Sequence, residues 1–330
     1  MVACADTNRC LVAVFFLIIL PTVAWSQKPT PSRTSQADPY TIKMNVDMVV
    51  LRATVDHKGV PVSGLTKDDF KVYEDGVLQQ IKYFTHEDIA VTVGLVVDNS
   101  GSMGPKDPEV IAAALAFARS SNPQDQMFVV NFNEHVSFAL PRNTPFTDQG
   151  AQLKVALSTI TANGMTALYD AVAAGLEHLK KGNRDKKVLI VVSDGGDNAS
   201  RHSLAQIMAM AAESDAIIYT LGLFDETDLD RNPGVLKQLA KATGGEAFLP
   251  ESVNEVIPIC EHIASDIRTQ YTLAYEPTNG DQNGTYRAIK VKAEAQGRGR
   301  LSVRTRVGYS APLKSQPLTA AGAADRKGQN

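Results

Sequence analysis

The stretch Val93-Gly-Leu-Val-Val-Asp98-Asn-Ser100-Gly-Ser102-Met-Gly104 decides the fold of this chain. Its first half is a run of small and β-branched apolar residues, which is typical of a strand buried on both faces of a parallel sheet. Its second half places Asp98, Ser100 and Ser102 at every second position of a glycine-containing turn. Ligands of open α/β sheets bind at the carboxyl ends of the strands. Three short oxygen-bearing side chains there indicate part of a coordination shell for a hard cation.

Two later segments complete this predicted shell. Gly164-Met-Thr166-Ala-Leu168 precedes a helical pattern, and Val188-Leu-Ile-Val-Val-Ser193-Asp194-Gly-Gly196 is a second buried-strand pattern that ends in a carboxylate. At these positions the sequence resembles the von Willebrand factor type A (VWFA) family over residues 89–267. The resemblance implies a metal-ion-dependent adhesion site in which the metal is held by Asp98, Ser100, Ser102, Thr166 and Asp194.

The residue types explain the chemistry expected of such a site. Mg²⁺ prefers near-octahedral oxygen ligation at about 2.0–2.1 Å and usually keeps water or an external ligand in part of its shell. Three of these five ligands are neutral hydroxyls and only two are carboxylates, so the ion keeps affinity for a further carboxylate. We therefore expect Mg²⁺ or Mn²⁺, with Ca²⁺ also compatible, and a protein partner that offers an Asp or Glu. The competing interpretation is that Asp98, Ser100 and Ser102 only cap the following helix, which leaves Thr166 and Asp194 without a role.

The first 26 residues predict a secretory signal peptide. Arg9 is followed by an apolar run over residues 10–20, and Ala24-Trp-Ser26 fits a small-x-small cleavage site. We expect a secreted or periplasmic bacterial protein. Because Asp6 offsets Arg9, an uncleaved N-terminal membrane anchor stays open as an alternative. No other segment is apolar enough to span a membrane, so no membrane insertion is expected after cleavage. Of the three cysteines only Cys260 would then remain, in an apolar helical stretch that predicts a buried thiol.

The rest of the chain predicts an α/β fold with a doubly wound, mostly parallel sheet flanked by helices, because strands alternate with helices from residue 91 onward. A net charge of -3 gives no electrostatic reason to expect nucleic acid as a partner. We assign a disordered linker to 27–39, the N-terminal part of a β module to 40–88, the VWFA domain to 89–269, the C-terminal strands of the β module to 270–310 and a disordered tail to 311–330. Predicted helices cover 108–121, 149–160, 167–180, 204–214, 233–242 and 252–267, and predicted strands of the domain cover 126–132, 135–138, 187–193, 216–223 and 245–249.

The segments before and after this domain have the period-2 alternation of half-buried strands. Strands at 270–275, 286–293 and 301–307 suggest that the two ends of the chain pair into one small β-sandwich. A parity change near Val49-Val50 predicts a bulge there, and Glu74-Asp-Gly76 predicts a hairpin turn. Residues 60–70 and Arg306-Val-Gly-Tyr309 resemble the flanking signatures of secreted bacterial VWFA-related proteins, best known from Acidobacteria. That second resemblance implies architecture and export, and no activity.

Several other clusters have two interpretations each. Arg298, Arg300, Arg304 and Arg306 share one parity, which fits either a surface for an anionic glycan or lipid headgroup or the solvated face of a strand. Asp197 fits either an outer-shell partner of the metal or a turn-stabilising carboxylate. A group of loop carboxylates fits either a loose Ca²⁺ site or solvated charge; its members are Asp225, Asp228 and Asp230. The six histidines show no paired spacing, so we expect no zinc site.

The sequence predicts a protein that is not an enzyme. It contains no G-x-x-x-x-G-K-[ST], no G-x-G-x-x-G and no G-x-S-x-G motif. Two alternatives to an adhesion protein stay open at this point. One is a structural module in which the metal only holds three loops together. The other is a metal-dependent phosphohydrolase, because Mg²⁺ at a strand end can polarise a phosphate.

Overall fold

The computed structural model describes residues 48–158, 162–224 and 231–313. The predicted signal peptide, the linker over 27–39, residues 314–330 of the predicted tail and the three carboxylates Asp225, Asp228 and Asp230 lie outside the described residues. Within those ranges, no helix combines the length and the apolar character that a membrane span requires.

The elements are numbered in chain order. They are β1 Val49–His57, β2 Val60–Pro61, β3 Phe70–Glu74, β4 Val77–Gln79, β5 Ile81–Thr85, β6 Val91–Asp98, α1 Asp107–Ser120, β7 Gln126–Phe132, β8 Val136–Phe138, α2 Gly150–Leu157, α3 Leu168–Leu179, β9 Lys186–Ser193, α4 Leu204–Glu213, β10 Ala216–Gly222, α5 Pro233–Thr243, β11 Ala247–Phe248, α6 Val256–Arg268, β12 Tyr271–Tyr275, β13 Tyr286–Ala293, β14 Ser302–Arg304 and β15 Gly308–Ser310. Short 3₁₀ turns cover Lys67–Asp69, Gly101–Lys106 and Val253–Glu255.

A six-stranded sheet forms the centre of the α/β domain, in the order β11-β10-β9-β6-β7-β8. All its neighbours are parallel except β8, which runs antiparallel to β7 at the edge. Every residue of β6 is buried, as are seven of the eight residues of β9. These apolar runs are continuous because helices cover both faces of a doubly wound sheet. The predicted α/β fold class is confirmed.

Two antiparallel sheets form the β module. One has the order β14-β1-β12-β5, with β2 on β1, and the other has the order β15-β13-β3-β4. Strand β1 precedes the α/β domain and pairs with β12 after it, from Val49↔Tyr275 to Ala53↔Tyr271. Side chains of both sheets share one core, which contains Leu51, Ala53, Phe70, Val72, Leu273, Tyr275, Ile289 and Val291. The predicted pairing of the two chain ends is therefore present, while the domain bounds at 89 and 269 stay a prediction.

Two details predicted for the β module are wrong. The pairing of β1 with β12 is regular through Val49 and Val50, so there is no bulge there. The register shift lies instead between Ala274 and Tyr275, where β12 meets β5. Of the strand predicted over 301–307, only Ser302–Arg304 is a strand, β14 on β1, and the next strand, β15 on β13, begins at Gly308 in the other sheet. The backbone between them crosses from one sheet to the other, which period-2 alternation cannot reveal.

The crossover segment, residues 304–307, contacts the α/β domain. Arg306 donates through Nη2 to the carbonyl of Ala212 near the end of α4. Gly244, which ends α5 at a φ of 85°, lies so close to this segment that a Cβ there would overlap the backbone of Thr305. Arg304 and Arg306 are therefore half-buried docking residues, and both interpretations of the arginine row are wrong for them.

Tyr309, the last residue of the segment Arg306-Val-Gly-Tyr309, belongs to a buried hydrogen-bond network around Glu74. Glu74 accepts hydrogen bonds from the hydroxyls of Tyr275 (2.6 Å) and Tyr309 (2.9 Å), and it pairs with Nη1 of Arg287 at 3.2 Å. A buried carboxylate needs such compensation, because burying a charge without a partner is costly. Tyr309 thus fixes β15 to the sandwich.

The predicted burial of Cys260 is also confirmed, and this burial raises the pKa of its thiol to about 12.

The first prediction concerns the contact between Gly244 and the crossover segment. Gly244→Ala should destabilise the protein by about 1–2 kcal/mol for the left-handed backbone and by about 1–3 kcal/mol more for the overlap. Gly76→Ala is the matched control, because Gly76 has a φ of 83° and a Cβ at that position would have no neighbouring atom within 4 Å. Urea unfolding measures both free energies. Equal losses in the two variants would contradict the tight docking of residues 304–307.

The second prediction concerns Lys186, which begins β9. Its Nζ is buried and donates to the carbonyl of Ile267 at 2.5 Å. Burial, together with the charge of Arg52, lowers the pKa of Lys186 to about 8, although Asp88 and Asp125 oppose this shift. Because the unfolded lysine titrates near 10.4, the charged form penalises the folded state below pH 8, and stability is regained as the pH rises from about 8 towards 10.4.

Lys186→Met should remove this rise, which amounts to about 3 kcal/mol. The measurement is the free energy of unfolding of wild type and variant between pH 7 and pH 10, with the half-buried neighbour Lys187→Met as control. If the difference between wild type and Lys186→Met stays constant over this range, the depressed pKa is refuted.

Candidate metal centre

Parallel pairing of two neighbouring strands places the two carboxylates of the site at one edge of the sheet. Strands β6 and β9 run side by side up to Val97↔Val192. Asp98 is the last residue of β6, and Asp194 follows Ser193, the last residue of β9. Both side chains are almost fully buried, with 0% and 3% exposure. The carboxyl-end placement expected from the sequence is present.

A chain of short oxygen–oxygen contacts links the two loops. The hydroxyl oxygens of Ser100 and Ser102 lie 3.2 Å apart, and Ser102 Oγ donates to Asp194 Oδ2 at 2.7 Å. Neighbouring ligands on an octahedral ion with bonds of 2.0–2.1 Å are separated by about 2.9 Å. Both of these distances are close to the spacing of adjacent Mg²⁺ ligands.

Local hydrogen bonds fix the orientation of both carboxylates. Asp98 accepts from the amide of Ser100 at 2.9 Å through Oδ1 and from the hydroxyl of Ser193 at 2.6 Å through Oδ2. Asp194 accepts from the amide of Gly196 at 2.9 Å through Oδ1. The backbone turns between these residues at Gly195, where a Cβ would overlap the carbonyl of Asn232. Each carboxylate oxygen retains a second lone pair, because an ionised carboxylate has about four acceptor positions.

Backbone contacts join the loop of Thr166 to both strand ends. The amide of Gly101 donates to the carbonyl of Gly164 at 3.3 Å, and the amide of Asn163 donates to the carbonyl of Asn99 at 3.0 Å. Thr166 itself is buried, and its amide donates to Oδ1 of Asn198 in the loop after Asp194. The structure thus brings the segments of all five predicted ligands together.

The electrostatics of the site favour a cation. Burial raises the pKa of the Asp98 carboxyl to about 6, and the nearby charge of Asp194 adds to this effect, while the hydrogen bonds from Ser100 and Ser193 oppose it. A divalent ion beside two buried carboxylates would compensate their desolvation. The donor set is hydroxyl and carboxylate oxygen, which suits Mg²⁺, Mn²⁺ and Ca²⁺.

Several residues that hold the site were missed by the sequence analysis. Ser193 orients Asp98, and Asn198 orients the backbone of Thr166. Asn133 accepts at its carbonyl from the amide of Ala167 and donates through Nδ2 to Asn163. The sequence does contain a signal for Ser193, because it is a polar residue at the end of a buried apolar strand, directly before Asp194. Since successive strand residues point to opposite faces, Ser193 and Asp194 can serve different partners.

Asp197 stabilises a turn in the described structure. Its Oδ1 accepts from the amide of Tyr169 at 3.2 Å and from the hydroxyl of Ser200 at 2.6 Å. A carboxylate that accepts amides of the first turn of α3 favours that helix through its dipole. Of the two interpretations, these contacts fit the turn-stabilising one.

The geometry agrees with comparisons to known proteins. Residues 93–196 match the family described as von Willebrand factor type A domain. An uncharacterized protein of Synechocystis sp. is 24% identical over 166 residues, which cover 49% of this chain and 38% of that protein. The chain thus spans well under half the length of this curated relative.

Two solved structures are among those to which this chain is similar. A von Willebrand factor type A protein from Catenulispora acidiphila has a TM-score of 0.48 at 13% identity, and the match covers 82% of this chain and 75% of that chain. The vWF domain of the type V pili tip protein Mfa5 from Porphyromonas gingivalis has a TM-score of 0.44 at 14% identity, with 55% and 95% coverage. The resemblance to the Acidobacteria-type group stays a prediction.

The third prediction tests the support of Asp98. Ser193→Ala removes a hydrogen bond to Asp98 and also the acceptor for the amide of Gly195. We expect a loss of about 1–3 kcal/mol in stability and a roughly 10- to 100-fold loss in Mg²⁺ affinity, as is typical when a partner of a ligand is removed.

Ser200→Ala is the matched control, because Ser200 makes comparable bonds to Asp197 and to the amide of Asp170. It should lose stability and keep its Mg²⁺ affinity. Isothermal titration with Mg²⁺ compares the two variants. An unchanged affinity in Ser193→Ala would show that Asp98 does not depend on this bond for its role at the site.

Proposed function

We propose that this chain, whose residues 93–196 match the von Willebrand factor type A domain family, is an exported, non-enzymatic binding protein that engages a partner through a divalent cation. Asp98, Ser100, Ser102, Thr166 and Asp194 would hold one Mg²⁺ or Mn²⁺ at the carboxyl edge of the sheet. An Asp or Glu of a protein partner would complete the shell. Export rests on the predicted signal peptide over residues 1–26.

The observation that carries this proposal is the row of contacts Ser100–Ser102–Asp194, at 3.2 Å and 2.7 Å. It joins two neutral hydroxyls to one carboxylate across two strand ends. Hydroxyl ligands neutralise none of the charge of the ion, so a metal held mainly by them keeps affinity for an anionic ligand from outside. Specificity would then come from the loops around the site.

The rim of the site suits a protein ligand. Met165, next to Thr166, is 53% exposed, and its amide donates to Oε2 of Glu134 at 2.9 Å. A flexible apolar side chain beside a metal can pack against a partner while the ion binds the partner's carboxylate. Because Glu134 accepts this hydrogen bond, it restrains the backbone at Met165 while the side chain of Met165 stays exposed.

The two alternatives have less support. A phosphohydrolase needs a nucleophile or a base besides its metal ligands, and the site has only two carboxylates, Asp98 and Asp194, both assigned to the metal. A purely structural metal is compatible with the same contacts. It differs from adhesion in one respect, since metal removal would lower stability without releasing a bound partner.

The fourth prediction is a metal-dependent rise in thermal stability. The full chain is melted in EDTA and then with Mg²⁺, Mn²⁺ or Ca²⁺ at millimolar concentration. An ion that binds only the folded state stabilises it by about 2.7 kcal/mol at a hundredfold excess over Kd. Asp98→Ala should abolish this rise, and Asp197→Ala, which removes a neighbouring carboxylate outside the ligand set, should keep it. No rise with any ion would count against the metal.

Partner binding is tested separately on the immobilised chain. Peptides with Asp or Glu are compared with matched Asn or Gln peptides, with Mg²⁺ or EDTA. Capture that needs both the carboxylate and the metal is the expected result. Stabilisation by metal without such capture would favour the structural role, and hydrolysis of p-nitrophenyl phosphate that Asp98→Ala abolishes would favour the phosphohydrolase.

A further inference from the structure

A second group of metal-ligand side chains lies where α6 meets the segment before β11. His262 and Asp266 are one helical turn apart on α6, so they share one face of that helix. Glu246 immediately precedes β11. One ligand atom from each of the three residues lies within 4.8 Å of the other two. These three side chains are therefore close enough to share one metal ion. None of them belongs to the adhesion-type site formed by Asp98, Ser100, Ser102, Thr166 and Asp194.

The buried carboxylate of Asp266 has an oxygen with no hydrogen-bond partner. Its side chain is 1% exposed, yet Oδ1 accepts no hydrogen bond among the described residues. Oδ1 lies 3.7 Å from Nε2 of His262, which is too long for a hydrogen bond. Two ligands of one tetrahedral zinc ion, with bonds of 2.0–2.1 Å, are separated by about 3.4 Å. The pair therefore has nearly the spacing of two ligands that share one ion.

Arg304 of β14 holds the opposite side of both carboxylates. Its Nη2 donates to Asp266 Oδ2 at 2.5 Å, and its Nη1 lies 2.6 Å from Glu246 Oε2. The guanidinium thus occupies one oxygen of each acid and leaves Asp266 Oδ1 facing His262. Carboxylates that bind a metal are themselves hydrogen-bonded by outer partners, which fix the ligands in place. With one arginine and two carboxylates the group keeps a net negative charge before an ion binds.

The ligand set differs from the oxygen-only set of the first site. An imidazole together with carboxylates suits Zn²⁺, whereas Mg²⁺ prefers oxygen alone. Glu246 and His262 have side chains that are 37% and 32% exposed, so an ion can enter from solvent and Glu246 can rotate into the shell.

We propose that Glu246, His262 and Asp266 bind one Zn²⁺, with water in the fourth position. Such a site would be structural in the first instance: it would tie the carboxyl-terminal end of α6 to the edge of the sheet and, through Arg304, to the β module. The proposal replaces our expectation that the chain has no zinc site. That expectation came from the absence of paired histidines, and a His-x-x-x-Asp spacing on a helix is the signal that it overlooked.

The two sites share no residue, and Asp266 lies towards the amino end of β9, away from the adhesion-type site. Glu246 lies closer to that site, because its carbonyl accepts from the amide of Thr220, which pairs with Val191 of β9. Ile267, next to Asp266, accepts from Lys186 at the beginning of β9, whereas Asp194 follows the end of the same strand. Eight residues of a strand span roughly 25 Å. The proposed zinc site can therefore be tested independently of the adhesion-type site, and failure of either proposal leaves the other in place.

The experiment uses the full chain with Asp98→Ala, which disables the first site. Zn²⁺ is titrated by calorimetry, and thermal melts are recorded with and without Zn²⁺. His262→Gln is the test variant, because the side chain of His262 is partly exposed and its loss leaves the Arg304 contacts intact. His57→Gln is the matched control, because Nδ1 of His57 makes a hydrogen bond with the carbonyl of Arg300 and His57 is not among the proposed ligands.

We expect one Zn²⁺ per chain, an affinity at least tenfold lower in His262→Gln, and an unchanged affinity in His57→Gln. A tenfold excess of Mg²⁺ should not displace the ion. Co²⁺ in place of Zn²⁺ should give visible absorption that His262→Gln abolishes, which reports ligation directly. Equal Zn²⁺ affinity in both histidine variants would overturn the proposal, and so would the absence of any Zn²⁺-dependent heat or rise in melting temperature.

Discussion

The parallel pairing of β6 with β9 is the constraint on which the rest of the structure depends. It aligns two buried strands so that Asp98 and Ser193 end at the same edge, and Asp194 follows at once. Register in a strand is fixed by its buried side chains, because a slip of one residue turns every side chain to the other face. The apolar runs of β6 and β9 thus determine the fold and also the distance between the two acidic loops.

This arrangement has an energetic consequence. Asp98 and Asp194 are both buried, at the ends of two neighbouring strands. Two carboxylates of like charge repel each other where water does not screen them. The protein compensates in part with hydroxyl and amide donors, of which Ser193 and Ser102 are the closest. Donors without charge cannot neutralise two carboxylates. A divalent cation can, which links the packing of the sheet to the proposed binding role.

Most of the fold and the members of the candidate site could be predicted from the sequence, because both follow from local patterns. The strand at Gln126–Phe132 was predicted to the residue, and the order Asp98, Ser100, Ser102 identified the turn. What could not be predicted depends on contacts between distant segments. Period-2 alternation over 301–307 does not show that Ser302–Arg304 and Gly308–Ser310 lie in different sheets. Nor does it show that Arg304 reaches Asp266.

Arg304 illustrates why a sequence motif alone does not predict the role of a residue. In sequence it is one of four alternating arginines; in the fold it is half-buried and holds two carboxylates that belong to different elements. A buried ion pair is rarely retained for stability alone, since desolvation offsets much of the attraction. Here the arginine leaves one carboxylate oxygen of Asp266 unpaired beside an imidazole. Arg304 therefore joins two modules and also leaves a carboxylate oxygen unpaired next to His262. An imidazole beside carboxylates is the ligand set that suits the proposed Zn²⁺ better than Mg²⁺.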